Sequence, residues 1–163
     1  LLLSLRFASL VSFLALFAVG ASPALFGAEP SDWPWWRGPN FNGIAEAGQD
    51  VPLEWGDSRN VLWKVRVPGR GHASPTVVGS KIFLSTADER SQSQGVVAFD
   101  RETGRQLWLT PISQGGFPKT HPKNTHATPT VACDGERLFV AFHHHDKLTL
   151  AALDLEGKRL WTE

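Results

Sequence analysis

From about residue 60 onward, hydrophobic and polar positions alternate in short runs broken by Gly, Asp, Pro and Ser. The clearest stretch runs from Gly95 to Leu109, G-V-V-A-F-D-R-E-T-G-R-Q-L-W-L. Branched and aromatic side chains suit a pleated, half-buried surface, so Val96, Val97 and Phe99 predict a strand. Asp100 to Gly104 predicts the turn. The Asp100 carboxylate can accept from the backbone N–H groups just ahead of it, Thr103 can do the same more weakly, and Gly104 supplies a positive φ at no steric cost. Arg105 to Leu109 returns as the second strand. Trp108, too large to leave in solvent, is expected to pack on a neighbouring sheet.

The unit recurs. Ala152-Leu153-Asp154-Leu155-Glu156-Gly157-Lys158-Arg159-Leu160-Trp161 repeats it with one residue fewer in the turn. Further back, His72-Ala73-Ser74-Pro75-Thr76-Val77 matches His126-Ala127-Thr128-Pro129-Thr130-Val131, and Lys81 to Leu84 matches Arg137 to Val140. Each unit reads as four short strands, with tight turns at Gly79-Ser80 and Asp134-Gly135 between the first two. A four-strand unit repeating at roughly 40–50 residues is the signature of a propeller blade of the WD40-like kind. The expected fold is therefore all-β: four-stranded antiparallel blades at about 72–109 and 126–161, within a repeat region spanning 60–163. One such sheet cannot bury both its faces, so blades must stack. Asn60 to Val67, N-V-L-W-K-V-R-V, also alternates and is expected to be a strand, with Trp63 in the closing position of a preceding blade. Such a strand often completes the last blade of a ring. Residues 86–95 are expected to be a polar hairpin loop, and 110–125 a long Pro/Gly loop between blades, where propellers commonly carry function.

The pattern A-x-D-x-x-T-G-x-x-x-W resembles the tryptophan-docking repeat of PQQ-like, quinoprotein-type β-propellers. Ala98, Asp100, Thr103, Gly104 and Trp108 match it in full; Ala152, Asp154, Gly157 and Trp161 match it without the Thr. The resemblance implies a ring commonly of seven or eight blades, in which the Trp of one blade packs on its neighbour. It also implies a choice of functions, since the superfamily holds PQQ-dependent dehydrogenases, the scaffold lipoprotein of outer-membrane barrel assembly, and many secreted proteins. About two blades fit in this chain, so the ring is incomplete and the chain is expected to be a fragment of a longer propeller.

The N-terminal region changes the picture of compartment. Arg6 is the only charge before Glu29, and Ala8 to Phe26 is rich in Leu, Phe, Ala and Val before closing on small residues. Residues 1–28 therefore read as a secretory signal peptide, cleaved after Ala21, Ala24 or Ala28, and imply a secreted or periplasmic protein. Left uncleaved, the segment would be a membrane anchor and the only contact with a membrane. Met is absent, including at position 1, so the start is expected to lack its initiator. Residues 29–59 form a Trp/Pro-rich preface, D-W-P-W-W-R-G-P-N-F-N-G in its densest part, where Pro34 and Pro39 prevent a regular helix. Its aromatic residues could offer a platform to a sugar or quinone, or could cover a blade and help close the ring. This opening, with the later Leu53-Glu54-Trp55, is similar to that of secreted PQQ-like propellers of planctomycete type.

Composition narrows the partners. Lys plus Arg is 16 and Asp plus Glu is 16, so no net charge or basic stripe points to nucleic acid. The single Cys, Cys133, excludes an internal disulfide and is expected to be an inert surface thiol in a turn. His143-His144-His145-Asp146 has metal-ligand chemistry. Alternation along an extended segment lets two of its imidazoles, His143 and His145, share a face, and the same stretch also reads as a solvated turn. His72 and His126 occupy equivalent positions just before the innermost strands and are candidates for a ligand site at the channel mouth; the competing role is to bond a neighbouring blade's backbone. PQQ dehydrogenases carry a vicinal Cys pair and a calcium site of Glu, Asn and Asp. Neither can be matched here, and no catalytic residue or cofactor can be assigned. The expected function is an exported binding or assembly scaffold, with a protein or small molecule as its ligand. The alternative is a PQQ- and calcium-dependent alcohol or sugar dehydrogenase whose cofactor site lies in further blades.

Overall fold

The computed structural model describes residues 32–163. The expected signal segment and the first residues of the preface lie outside that range. Two four-stranded antiparallel sheets follow one another. The first contains β1 (Thr76–Val78), β2 (Lys81–Asp88), β3 (Ser93–Asp100) and β4 (Gln106–Gln114); the second contains β5 (Ala132–Cys133), β6 (Arg137–His144), β7 (Lys147–Asp154) and β8 (Arg159–Thr162). Strand order equals chain order in both sheets. Among the described residues there is no helix, and hence none long and apolar enough to cross a membrane. These are two blades of a β-propeller, and they do not close a ring.

The blades stack through one shared core. Phe83, Val96 and Ala98 of the first blade join Val131, Leu138, Phe142 and Leu153 of the second, all essentially inaccessible to solvent. Truncating one of these Phe residues to Ala should cost about 3–5 kcal/mol. Val97 and Phe99, at the alternate positions of β3, are equally buried and lie on the opposite face of the sheet. A central strand covered on both faces reads as a continuous apolar run, which is what V-V-A-F is.

Polar bonds between the blades supplement that core. The His72 N–H donates to the Ala127 carbonyl at 2.9 Å and the Ser85 hydroxyl to the Pro129 carbonyl at 2.6 Å. The Thr76 hydroxyl donates to the Val131 carbonyl, and Lys81 pairs with Glu156 at 2.8 Å. Gln94, buried at the start of β3, donates from Nε2 to the His126 carbonyl at 2.7 Å and the His143 carbonyl at 3.3 Å, and its Oε1 accepts from the Ser113 hydroxyl at 2.6 Å.

Four local expectations are corrected. Residues 60–67 do not form a strand: they pair with no strand of either sheet, and Val61, Leu62, Val65 and Val67 are exposed. The polar loop expected over 86–95 shrinks to residues 89–92, because Thr86 and Gln94 are drawn into the sheet once their polar groups find partners. The interblade loop begins at residue 115 rather than 110, since β4 continues to Gln114. Pro111 is tolerated there because β4 is an edge strand with no outer ladder to supply. Cys133 is not on the surface: it lies in β5 with its side chain fully buried in the shared core.

Candidate functional site

Ala98 lies directly opposite Trp108, and Ala152 opposite Trp161, and in both blades the ladder bulges just after the Ala. The fully buried Ala leaves cross-strand room that a larger side chain would take from the indole. The turns that follow are built alike. Asp100 Oδ1 accepts from the Thr103 N–H at 2.8 Å and the Thr103 hydroxyl at 2.7 Å. Asp154 Oδ1 accepts from the N–H groups of Glu156 at 3.1 Å and Lys158 at 2.8 Å. Gly104 (φ 70°) and Gly157 (φ 84°) complete the two turns. The Thr103 hydroxyl and N–H hold the Asp100 carboxyl below its usual range.

Each turn receives an indole from the preceding unit. Trp63 lies on Gly104, where an added Cβ would meet the ring at 2.6 Å, and its Nε1 donates to the Arg101 carbonyl at 3.0 Å. Trp108 lies on Gly157, where a Cβ would meet the ring at 2.5 Å, and its Nε1 donates to the Leu155 carbonyl at 3.2 Å. Only a glycine lets the indole approach the backbone this closely. Trp161 packs on Phe139 with ring centroids 6.1 Å apart and is 37% exposed.

The two recurring histidines diverge in surroundings. The His72 side chain is exposed. His126 is half-buried, stacked on Phe117 at 4.2 Å, with Nε2 3.0 Å from the Pro118 carbonyl. A carbonyl only accepts, so Nε2 carries the proton and Nδ1 of the neutral ring is an acceptor. Both histidines lie along the seam between blades, His72 through its backbone N–H and His126 through its carbonyl, which takes the Gln94 bond. His126 and His143 also border a crevice of about 230 Å³ under the interblade loop, with Thr125 and Asn124.

His143, His144 and His145 do not converge on one site, although the rings of His144 and His145 meet edge to face with centroids 5.3 Å apart. His145 and Asp146 both have positive φ and form the two-residue turn between β6 and β7. The His145 ring rests on Gly116, and the His145 backbone N–H donates to the Gly116 carbonyl at 2.7 Å, which ties the hairpin to the interblade loop. His143 is exposed, while His144 Nε2 meets the Thr149 hydroxyl at 2.8 Å. Burial, then the nearby His145 and His143, lowers the His144 pKa from its ordinary value. Among the described residues no group of three His, Cys, Asp or Glu side chains is placed to hold a metal ion.

Sequence reasoning missed where the preface goes. Trp33 exchanges two backbone bonds with Val77, at 2.7 and 2.9 Å, along the free edge of β1. The next carbonyl, Pro34, accepts from the Cys133 N–H of β5 at 2.8 Å, and Asp32 Oδ1 accepts from the Gly79 N–H at 2.9 Å. Residues 32–34 thus clasp the inner edges of both blades. Trp35 stacks on Phe41 at 4.9 Å, and Trp36 is exposed under the Arg37 guanidinium. Only the density of Trp and Pro signalled that this segment is ordered; its strand-like pairing covers a single residue and leaves no periodic trace.

The chain belongs to the PQQ-like repeat family: a family model described as outer membrane protein assembly factor BamB matches residues 53–163. No curated protein matches the chain.

Proposed function

We propose that this family member is an exported scaffold, whose blades bind and position another molecule rather than convert it. One observation carries the reading. The edges of β1 and β5 that would face a central channel are taken by the chain's own Trp33 and Pro34. A site at that edge would compete with backbone bonds already made. The repeated Ala, Asp, Gly and Trp positions act as a tryptophan-docking motif that sets the spacing between blades. The family description names an assembly factor for outer-membrane proteins, which supports a scaffolding role on the far side of an export step. The apolar segment 1–28 supports passage through that step as a cleaved signal peptide.

The test is addition of PQQ with Ca²⁺ to the full chain, followed by gel filtration and a quinone absorbance spectrum. A scaffold emerges without stoichiometric quinone. Retention of one quinone per chain, lost on chelating the calcium, would overturn the scaffold reading in favour of a quinoprotein. N-terminal sequencing of the protein from the exported fraction of its host should begin after Ala21, Ala24 or Ala28; retention of the apolar segment Ala8 to Phe26 would overturn the cleaved signal.

A further inference from the structure

We propose that the crevice beneath the strap formed by residues 66–71 binds a small organic carboxylate with an apolar body. The strap crosses β2. Arg70 and Ala87 exchange backbone bonds at 2.8 and 3.1 Å, and the Thr86 hydroxyl donates to the Pro68 carbonyl. Gly69 (φ 73°) passes so close that an added Cβ would sit 2.6 Å from the Ala87 carbonyl oxygen. The strap is therefore held at a fixed height over the sheet. Of the cavities that adjoin it, two share Gly69 and Asp88 in their walls. One, about 240 Å³, takes its apolar wall from Pro68, Leu109 and Pro111, with Thr86, Asp88 and Ser93 also in its lining. The other, about 390 Å³, is bordered by Arg66, Arg70 and Arg90.

The charges around the second cavity are unequally engaged. Arg70 pairs with Glu89 at 3.5 Å. Asp88 Oδ1 accepts the N–H groups of Arg90 and Ser91 at 2.8 and 3.0 Å, and the Arg90 charge also acts on this carboxylate. Arg66 and Arg90 meet no carboxylate within ion-pair distance among the described residues. Two guanidiniums bordering the cavity next to the apolar one are complementary to a carboxylate, which each can grip through paired N–H donors. Ligand pockets span about 300–1,000 Å³, so a ligand reaching across Gly69 from one cavity into the other would be the size of an arylalkanoic or short fatty acid. The site involves neither the clasp at β1 and β5 nor any quinone, so it stands or falls independently of the scaffold reading.

The experiment is titration of the full chain with 3-phenylpropionate, following the backbone amide shifts of Gly69, Arg90 and Gly95. Saturable shifts at these three residues are expected. Affinity should fall about tenfold or more for the uncharged 3-phenylpropionamide, and by a similar factor in an Arg66→Gln/Arg90→Gln variant with an unchanged urea midpoint. Equal binding of acid and amide, full affinity in the double variant, or no saturable shift would each overturn the proposal. Displacement of the acid by inorganic phosphate at equal affinity would overturn the apolar half, leaving a bare anion site.

Discussion

Trp108 and Gly157 should behave as one unit, and a double-mutant cycle measures whether they do. Trp108→Ala removes a large side chain wedged between Phe83, at 5.8 Å between ring centroids, and the Gly157 turn. It also leaves the Leu155 carbonyl without its indole donor. The expected loss is about 3–5 kcal/mol. Gly157→Ala places a left-handed φ of 84° on a residue with a side chain, about 1–2 kcal/mol. It also drives a Cβ to 2.5 Å from the indole, an overpacking cost of about 1–3 kcal/mol. In the Trp108→Ala background the second cost disappears and only the backbone cost remains. The double variant should therefore fall short of the summed single losses by about 1–3 kcal/mol. Urea unfolding followed by far-ultraviolet circular dichroism is the suitable assay, because replacing an indole alters fluorescence directly. The pair Trp63 and Gly104 repeats the geometry and should give the same sign. Trp161→Ala, removing a partly exposed ring, should cost only about 1–2 kcal/mol. Additivity within about 0.5 kcal/mol at both pairs would refute the claim that the ring and the glycine turn are matched.

Gln94→Leu keeps the size but leaves the His126 and His143 carbonyls and the Ser113 hydroxyl without their amide; a loss of about 2–3 kcal/mol in urea unfolding is expected, and an unchanged midpoint would show the amide to be dispensable. Burial pushes the Cys133 thiol pKa up, so a thiol reagent at neutral pH should leave the native chain unlabelled and modify one group per chain in denaturant. Fast native labelling would place Cys133 outside the core. Acid should destabilise in two stages in thermal melts. The His144 pKa is lowered from 6.5 on folding, so the folded chain binds fewer protons there, and stability held above that pH is lost as pH falls through the folded value. The carboxyls of Asp88, Asp100 and Asp134 are lowered from 3.8 and act in the same direction at lower pH. His144→Asn should abolish the first stage alone; a melting temperature flat from pH 7 to 5 in the unaltered chain would contradict this.

The hairpins were legible because their causes are local. Asp100, Thr103 and Gly104 bond within their own turn, and Val96 to Phe99 carries a buried central strand in four letters of sequence. The corrections fall where the cause is distant. Residues 60–67 alternate as a strand should, yet a strand requires a neighbour to pair with, and alternation cannot supply one. Thr86 and Gln94 look like loop residues until Pro68 and His126, far along the chain, offer them acceptors. Cys133 next to Asp134-Gly135 reads as part of an exposed turn, but β5 is the inner strand of its blade, and its burial is imposed by Pro34 and the core of the other sheet. The histidine run misleads for a related reason: two positive φ values at His145 and Asp146 break the alternation that would have put His143 and His145 on one face.

The clasp at residues 32–34 also bears on why His72 and His126 recur without forming one site. Both precede an inner strand, and both lie on the seam between blades, so the repeat preserves a backbone role at that position: the His72 N–H donates across the seam, and the His126 carbonyl receives Gln94 across it. Their side chains answer to different loops. The 16 residues from Gly115 to Thr130 fold Phe117 and Pro118 back over His126, while the shorter strap before His72 runs on to the sheet at Arg70 and leaves the ring in solvent. Repetition of a side chain type is therefore evidence of a shared backbone position first. A shared ligand would require the loops ahead of both strands to be alike, and here they differ in length, sequence and path.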